Sequence, residues 1–152
     1  MPTTDQDRAH EALGEQECLR LLGTTGIGRV AYTEAALPAI LPVSYALRDG
    51  DVLIPTQAGS ALAHAVRGAV VAFETDSYDD AARTGWSVIV VGASRVLRAG
   101  RPEDPDGWLI AVQVSLVRGW RTTTAIRAAG TAGPESGTYS DNDRSARRPA
   151  PW

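Results

Sequence analysis

Two hydroxyl side chains, Thr56 and Ser60, stand four residues apart in a segment that combines strand, turn and helix patterns. The segment from Val52 to Val66 reads VLIPTQAGSALAHAV. A strand pattern ends at Thr56, Gly59 and Ser60 form a turn, and an alanine-rich helix follows. Hydroxyls and free backbone N–H groups at a helix start can bind an anion, although the segment contains no Lys or Arg. The alternative role of Ser60 is that of a plain helix cap.

Two further segments carry groups that could transfer protons. The segment AVVAFETDS alternates apolar and polar residues and places Glu74 and Asp76 on the polar face of a half-exposed strand. If that face borders a cleft, these carboxyl groups are acid–base candidates; otherwise they are solvated. Tyr45, in the segment LPVSY, is a further catalytic candidate, and packing against its apolar neighbours is its alternative role.

The composition argues against several other kinds of reactive site. All 15 basic residues are Arg, so the chain has no lysine for a Schiff base. The single cysteine, Cys18, cannot form an internal disulfide and lies among leucines in a helical pattern, which predicts a buried structural thiol. His10 and His64 lack metal-ligand spacing, so we expect no metal site.

Length, charge and hydropathy narrow the class of protein. A chain of 152 residues predicts one domain, and the net charge of −3 without a basic stripe argues against nucleic-acid binding. No apolar run approaches the roughly 18 residues of a membrane span, and the N-terminus lacks a signal pattern. We therefore expect a soluble cytoplasmic protein without nucleic-acid or membrane partners. The use of Arg instead of Lys hints at a GC-rich bacterial genome.

The elements that position the candidate residues are mostly strands. One strand is predicted in GIGRVAYTE, and two strands joined by a hairpin turn at Asp49–Gly50 are predicted in LPAILPVSYALRDGDVLIPT. One strand each is predicted in AVVAFETDS, GWSVIVVGASRVL and WLIAVQVSLVRGWRT. Helices are predicted in EALGEQECLRLL, from Glu11 to Leu22, and in SALAHAVRG. Residues Val88 to Val91 are apolar on both strand faces, which predicts a central or interface strand.

These elements predict a mainly β (α+β) fold, a small barrel of about six antiparallel strands with two or three short helices. We expect residues 1–10 to be a flexible N-terminus and residues 11–127 to form the domain. Residues 128–152 are rich in Gly, Pro, Ser and Asp and poor in aliphatics, which predicts a disordered tail. A barrel of this size leaves little room inside, so we expect the site at its rim or between subunits.

An ordered series of segments resembles one protein family. The segments ECLRLLGTTGIGRVAYT, LPVSY, a Thr followed by GSAL, VAFETD and GWSVIVVGAS occur in the family's order. The chain resembles the pyridoxamine 5'-phosphate oxidase-like, FMN-binding split β-barrel superfamily, in the branch that contains nitroimidazole-resistance proteins. The resemblance covers roughly Leu13 to Arg121. It implies a homodimer of split barrels with FMN in two clefts between the chains.

The resemblance also implies which residues contact the cofactor. One group matches the segment at the flavin phosphate: Thr56, Gln57 and Ser60. Another matches the strand along the isoalloxazine ring: Ser44 and Tyr45. The remaining positions match the interface strand and a segment near the cofactor: Trp86, Ser87, Trp120 and Arg121. Core or interface packing is the alternative role of the two tryptophans.

The chain departs from the family pattern where the phosphate cations are expected. Pro55 and Ala61 occupy positions that are commonly basic in relatives, and Val91 replaces an Arg found in many of them. A hydrogen bond to a charged group contributes about 1.5–3 kcal/mol, so losing two costs about 3–6 kcal/mol. The arginines that could replace the missing cations are Arg67, Arg95 and Arg121.

These observations leave three functions open. The first is an FMN-dependent oxidoreductase acting on a small organic molecule, with a deazaflavin as a variant cofactor. The second is a cofactor-free enzyme of specialised metabolism, of isomerase, cyclase or lyase type, which uses the same cleft. Its substrate-positioning or proton-transferring residues would be Tyr45, Gln57, Glu74 and Trp86. The third is a non-enzymatic ligand-binding or structural protein.

Overall fold

The computed structural model describes residues 10–123, which form nine β-strands and two α-helices. The helices are α1 (Glu15–Leu22) and α2 (Ala61–Val66). The strands are β1 (His10–Ala12), β2 (Ile27–Glu34), β3 (Leu37–Ser44), β4 (Ala46–Arg48), β5 (Asp51–Gln57), β6 (Val70–Asp79), β7 (Thr84–Arg98), β8 (Gly107–Gln113) and β9 (Leu116–Thr123). The predicted tail, residues 128–152, and the predicted flexible N-terminus up to residue 9 lie outside the described residues.

The N-terminal helix is shorter than the sequence predicted. It begins at Glu15 instead of Glu11, because Gly14 is extended, with φ −69° and ψ 159°. The residues before it form β1, which pairs with β9. Leu13 continues this contact, since its backbone N–H donates to the carbonyl oxygen of Gly119 at 2.9 Å. Residues 11–13, which have a helical sequence pattern, therefore extend along the sheet edge instead of forming the first turn of the helix.

The strands are also divided more finely than predicted. The segment predicted as one last strand forms β8 and β9, which are separated by Val114 and Ser115. The backbone N–H of Ser115 donates to the carbonyl oxygen of Gln113 at 2.9 Å. Similarly, Tyr45 separates β3 from β4 because its side chain turns into the core. The hairpin prediction is confirmed: Asp49 and Gly50 have φ values of 52° and 80° between β4 and β5, and both positive values suit a tight hairpin turn.

One long strand joins the two halves of the sheet. The main strand order is β3-β2-β6-β7-β8-β5-β4, with β9 beside β7 and β1 beside β9, and all pairs are antiparallel. The N-terminal part of β7 pairs with β6 and β9, and Ser94 to Arg98 pair with β8. At the crossing, a β-carbon on Gly92 would lie 1.6 Å from the carbonyl oxygen of Gln113. Only glycine allows this approach of the two backbones.

The core lies inside this curved sheet and beneath the two helices. Its largest fully buried side chains include Phe73, Leu22, Ile54 and Ile110. Cys18 is also buried, as predicted, and burial raises the pKa of its thiol. Within residues 10–123, no helix is long and apolar enough to cross a membrane.

Candidate functional site

The hydroxyls of Thr56 and Ser60 meet at the turn between β5 and α2. Their oxygen atoms lie 2.8 Å apart, and Ser60 Oγ accepts the N–H of Ala63 at 3.1 Å. The turn is closed by Gly59, whose φ is 69°. The predicted strand–turn–helix segment is therefore confirmed, with Ser60 as the helix cap. One of the two hydroxyl protons forms the hydrogen bond between Thr56 and Ser60, so the other hydroxyl proton can be donated to an acceptor outside the pair.

A cleft of about 330 Å³ opens beside this turn. It is lined by Thr56, Gln57, Ala58, Asp104, Asp106 and Gly107. The two carboxyl groups come from the loop between β7 and β8. A β-carbon on Gly107 would lie 2.2 Å from Asp104 Oδ2, so the glycine lets this carboxyl group fold against the strand. Like charges repel, so these carboxylates disfavour an anion in the cleft itself.

The three arginines considered as replacement cations have different surroundings. Arg95 binds Asp51 at 2.5 Å, and Arg121 lies 3.7 Å from Glu17. The guanidinium group of Arg67 instead lies over the ring of Trp108. Among the described residues, Arg67 has no carboxylate within ion-pair distance. Of the three, Arg67 is therefore the one whose charge is not already paired with a carboxylate in the described part of the chain.

A second group of predicted site residues lies on the outward side of the sheet. We call the surface formed by β3, β2, β6, β7 and β9 on the side opposite the core the outer face. Residues directly opposite in an antiparallel ladder share a face, and Ser87 pairs with Trp120. Glu74 and Ser44 belong to the same face, through their neighbours Arg29 and Ile27 on β2.

Glu74 forms an ion pair on this outer face. Arg29 Nη1 donates to Glu74 Oε2 at 2.6 Å, and Arg29 Nη2 lies 3.5 Å from Asp76 Oδ1. Burial raises the pKa of Glu74, and Arg29 opposes that rise. The pKa of Arg29 is raised by its hydrogen bond to Glu74. The sequence identified Glu74 and Asp76 but not their cation, because Arg29 lies 45 residues before Glu74 in the chain.

Tyr45 is held in the core. Its hydroxyl donates to the carbonyl oxygen of Leu22 at 2.5 Å and contacts Thr25 Oγ1 at 2.6 Å. Its ring meets Phe73 edge-on, with the ring centroids 4.6 Å apart. These contacts tie the end of α1 to the sheet. The catalytic role of Tyr45 stays a prediction.

Trp86 and Arg121 point to the opposite side from Ser87 and Trp120. They pair across β7 and β9, and Trp86 packs against the core. The ten predicted site residues therefore fall into separate groups within one chain. The turn residues Thr56, Gln57 and Ser60 form one group, and the outer-face residues form another. Among the described residues, no hydrogen bond or ion pair joins these two groups. The same residues 10–123 contain no cluster of three or more His, Cys, Asp or Glu that could hold a metal.

Comparisons with known proteins show relatives in both sequence and fold. An uncharacterized protein of Mycobacterium tuberculosis is 46% identical over 85 residues, which are 53% of this chain and 56% of that protein. The match thus spans about half the length of that curated relative. The structure of the FAD binding protein from Mycobacterium smegmatis superimposes with a TM-score of 0.64 at 28% identity, covering 74% of this chain and 98% of that one.

A more distant structure has the same fold. A candidate 5-nitroimidazole antibiotic resistance protein from Bacteroides thetaiotaomicron gives a TM-score of 0.60 at 8% identity, covering 74% of this chain and 88% of that one. The split-barrel fold expected from the sequence is confirmed. The family model described as pyridoxamine 5'-phosphate oxidase matches residues 14–132. The chain therefore belongs to the pyridoxamine 5'-phosphate oxidase family.

Proposed function

We propose that this chain binds FMN between two copies of itself and acts as an oxidoreductase on a small organic molecule. The observation that carries this proposal is the joined hydroxyl pair of Thr56 and Ser60, 2.8 Å apart. This pair stands where the family resemblance places the flavin phosphate. The FAD binding relative, 28% identical over 98% of its own chain, supports a flavin as the ligand class. FMN and FAD share the phosphate next to the ribityl chain, so both are tested below.

The residues at the turn fit a phosphate through hydroxyl donors. One proton of the Thr56–Ser60 pair is free to donate, and the side-chain amide of Gln57 adds donors at the same strand end. Ser44, Ser87 and Trp120, on the outer face, would border the flavin ring. Because the turn and the outer face are separate groups in one chain, a second copy would complete the site. When bound, the flavin supplies the electron-transfer chemistry, and the protein binds and orients it.

A cofactor-free enzyme is the second candidate function, and the charge of the cleft favours it. Pro55 and Ala61 remove the cations expected in the family. Asp104 and Asp106 line the cleft beside Thr56 instead. A cleft with hydroxyl, amide and carboxyl groups suits a neutral or cationic organic substrate better than a phosphate. In this case the carboxyl groups of the cleft would be the nearest proton-transfer groups.

Titration with three flavins distinguishes the two candidates. Purified protein is scanned for flavin absorbance and then titrated by calorimetry with FMN, FAD and riboflavin. The proposal predicts that Thr56→Val weakens FMN binding about tenfold, because one hydrogen bond contributes about 1.4 kcal/mol. The matched control is Thr33→Val, at an exposed position on β2. A colourless protein that binds none of the three flavins would refute the flavin proposal.

The two cleft carboxylates provide a second test. If a phosphate lies beside Thr56, Asp104→Asn with Asp106→Asn removes two repulsive charges, and FMN affinity should rise while riboflavin affinity stays constant. If the cleft binds a cationic substrate, the same double variant should leave flavin binding unchanged. It should then abolish turnover of that substrate in flavin-free protein.

A further inference from the structure

The turn between β2 and β3 determines which backbone groups of β3 point away from the sheet. Ala35 and Ala36 have φ values of 47° and 63°, so they form a two-residue hairpin turn. The flanking residues Glu34 and Leu37 are directly paired, and across such a turn they exchange both backbone hydrogen bonds. Hydrogen-bonded and non-hydrogen-bonded pairs alternate along an antiparallel ladder. The odd-numbered residues of β3 therefore bond to β2, and the even-numbered residues do not.

The residue after β3 supports this alternation. The backbone N–H of Tyr45, an odd-numbered residue, donates to the carbonyl oxygen of Gly26 at 3.0 Å. In the described part of the chain, β3 is the last strand on its side of the sheet and pairs with β2 alone. The backbone groups of its even-numbered residues therefore face an open edge.

Prolines occupy two of the four outward positions on this edge. These positions are Pro38, Ile40, Pro42 and Ser44. Proline has no backbone N–H and cannot donate a hydrogen bond to an incoming strand. An antiparallel ladder needs a donor at every second residue of the edge strand. An incoming strand would find donors only at Ile40 and Ser44, with a proline between them, so the edge cannot support a continuous ladder.

The rest of β3 has the character of a strand that pairs readily. The segment LPAILPVS contains no charged residue, and Leu37 and Ile40 are 68% and 71% exposed. Charged side chains often protect the free edge of a sheet, and β3 lacks them. Without proline, an exposed edge strand that is apolar and uncharged is a site of aggregation. Protection of this edge therefore depends on Pro38 and Pro42.

The third proline in the described strands follows the same rule. In the β4–β5 hairpin Arg48 pairs with Asp51 across the turn, so the odd-numbered residues of β5 point towards β4. The last pair of that ladder joins Ala46 to Leu53, and Pro55 lies beyond it. The backbone nitrogen of Pro55 therefore also faces an edge that is unpaired in the described residues. All three strand prolines thus lie where an open edge lacks a partner.

We propose that Pro38 and Pro42 close the free edge of β3 to backbone pairing with strands of other molecules. The two prolines allow an apolar, uncharged strand to stay exposed without joining the sheets of separate molecules edge to edge. A partner that covers β3 contacts its side chains and does not extend its ladder. This inference goes beyond the proposed function and does not depend on flavin binding.

Restoring the two donors tests the proposal. Pro38→Thr with Pro42→Thr supplies both missing N–H groups through a residue that favours strands. Light scattering after size exclusion should show assemblies larger than the wild type, with a mass that increases with protein concentration, and these assemblies should bind thioflavin T. The matched control is Pro102→Thr with Pro105→Thr, in the loop between β7 and β8, which should keep the wild-type mass. Circular dichroism establishes that each variant folds.

Two further sets of variants separate edge pairing from misfolding. Each single variant, Pro38→Thr or Pro42→Thr, restores one donor and should show a smaller increase in mass. Adding Ile40→Lys to the double variant should return the mass to that of the wild type, because a charge on the edge opposes pairing. A folded double variant that keeps the wild-type mass at every concentration would overturn the proposal.

Amide hydrogen exchange in the wild type tests the open edge without any substitution. The N–H groups of Leu41 and Val43 bond to β2, whereas those of Ile40 and Ser44 face the edge. The first two should therefore exchange at least about a hundredfold more slowly than the other two. Equal protection of Ile40 and Leu41 would show that another strand already pairs with this edge, and the proposal would then be wrong.

Discussion

The guanidinium carbon of Arg67 lies 5.7 Å from the ring centroid of Trp108, within the range of a cation–π contact. Trp108 stands directly opposite Thr56 in the β5–β8 ladder, so the two side chains share one face. Thr56 in turn contacts Ser60. Arg67 therefore stacks on a side chain that shares a strand face with Thr56, whereas Pro55 and Ala61 occupy the positions that are commonly basic in relatives.

Replacing this cation should weaken binding of phosphorylated flavins selectively. Arg67→Ala should reduce FMN affinity about 10- to 150-fold, the equivalent of a charged hydrogen bond of about 1.5–3 kcal/mol. Riboflavin lacks the phosphate, so its affinity should not change. Calorimetry with both ligands measures the difference, and Arg48→Ala on β4 is an exposed control. Equal losses for FMN and riboflavin would show that Arg67 does not contact the phosphate.

A methyl group at the crossing of the two half-sheets should be strongly destabilising. The β-carbon of Gly92→Ala would meet the backbone of Gln113 at 1.6 Å, so one of the two strands must move. We expect the free energy of unfolding in urea to fall by about 3 kcal/mol or more. Gly26→Ala is the matched control, since a β-carbon at that position would have no atom within 4 Å. Equal stability of the two variants would contradict this explanation of the crossing.

Removing the hydroxyl of Tyr45 should loosen the junction of α1 with the sheet. Tyr45→Phe leaves the carbonyl oxygen of Leu22 without its donor, and we expect a loss of about 1–2 kcal/mol in unfolding free energy. The control is Tyr32→Phe, because the hydroxyl of Tyr32 makes no hydrogen bond with the described residues. Unchanged stability with lost turnover would instead support the predicted catalytic role of Tyr45.

Glu74 should make stability depend on pH in mild acid. Its folded-state pKa is raised above the ordinary value of 4.5, chiefly by burial. The stability that it contributes is therefore fully present below the unfolded pKa and is lost as the pH rises through the folded pKa. Glu74→Gln should remove this fall in stability, which is measured as thermal stability from pH 4 to pH 7.

Removing Arg29 gives an independent check on the same carboxyl group. Because Arg29 lowers the pKa of Glu74 against the effect of burial, Arg29→Gln should raise that pKa further. Titration of the Glu74 side chain by NMR measures the shift directly. A lower pKa of Glu74 in Arg29→Gln would show that Arg29 does not stabilise the ionised carboxylate.

Local patterns in the sequence determined the hairpin at Asp49–Gly50, the cap at Ser60 and the burial of Cys18. Each of these depends on neighbours within a few residues, or on an apolar pattern that any compact fold buries. The order of family segments also identified the split barrel before its strand pairing was known. The polar face carrying Glu74 and Asp76 followed from simple alternation.

Contacts between distant segments were decided by the tertiary structure. The residues before Gly14 were predicted as helix but form a strand, because they pair with β9. The pairing of β2 with β6 places Arg29 opposite Glu74. The loop carboxyl groups of Asp104 and Asp106 reached Thr56 only because β8 pairs with β5. Propensity and periodicity act over a few residues, whereas strand register joins residues far apart in the chain. The sequence therefore determined the kinds of groups available for a site, and the register of the sheet decided which of them meet.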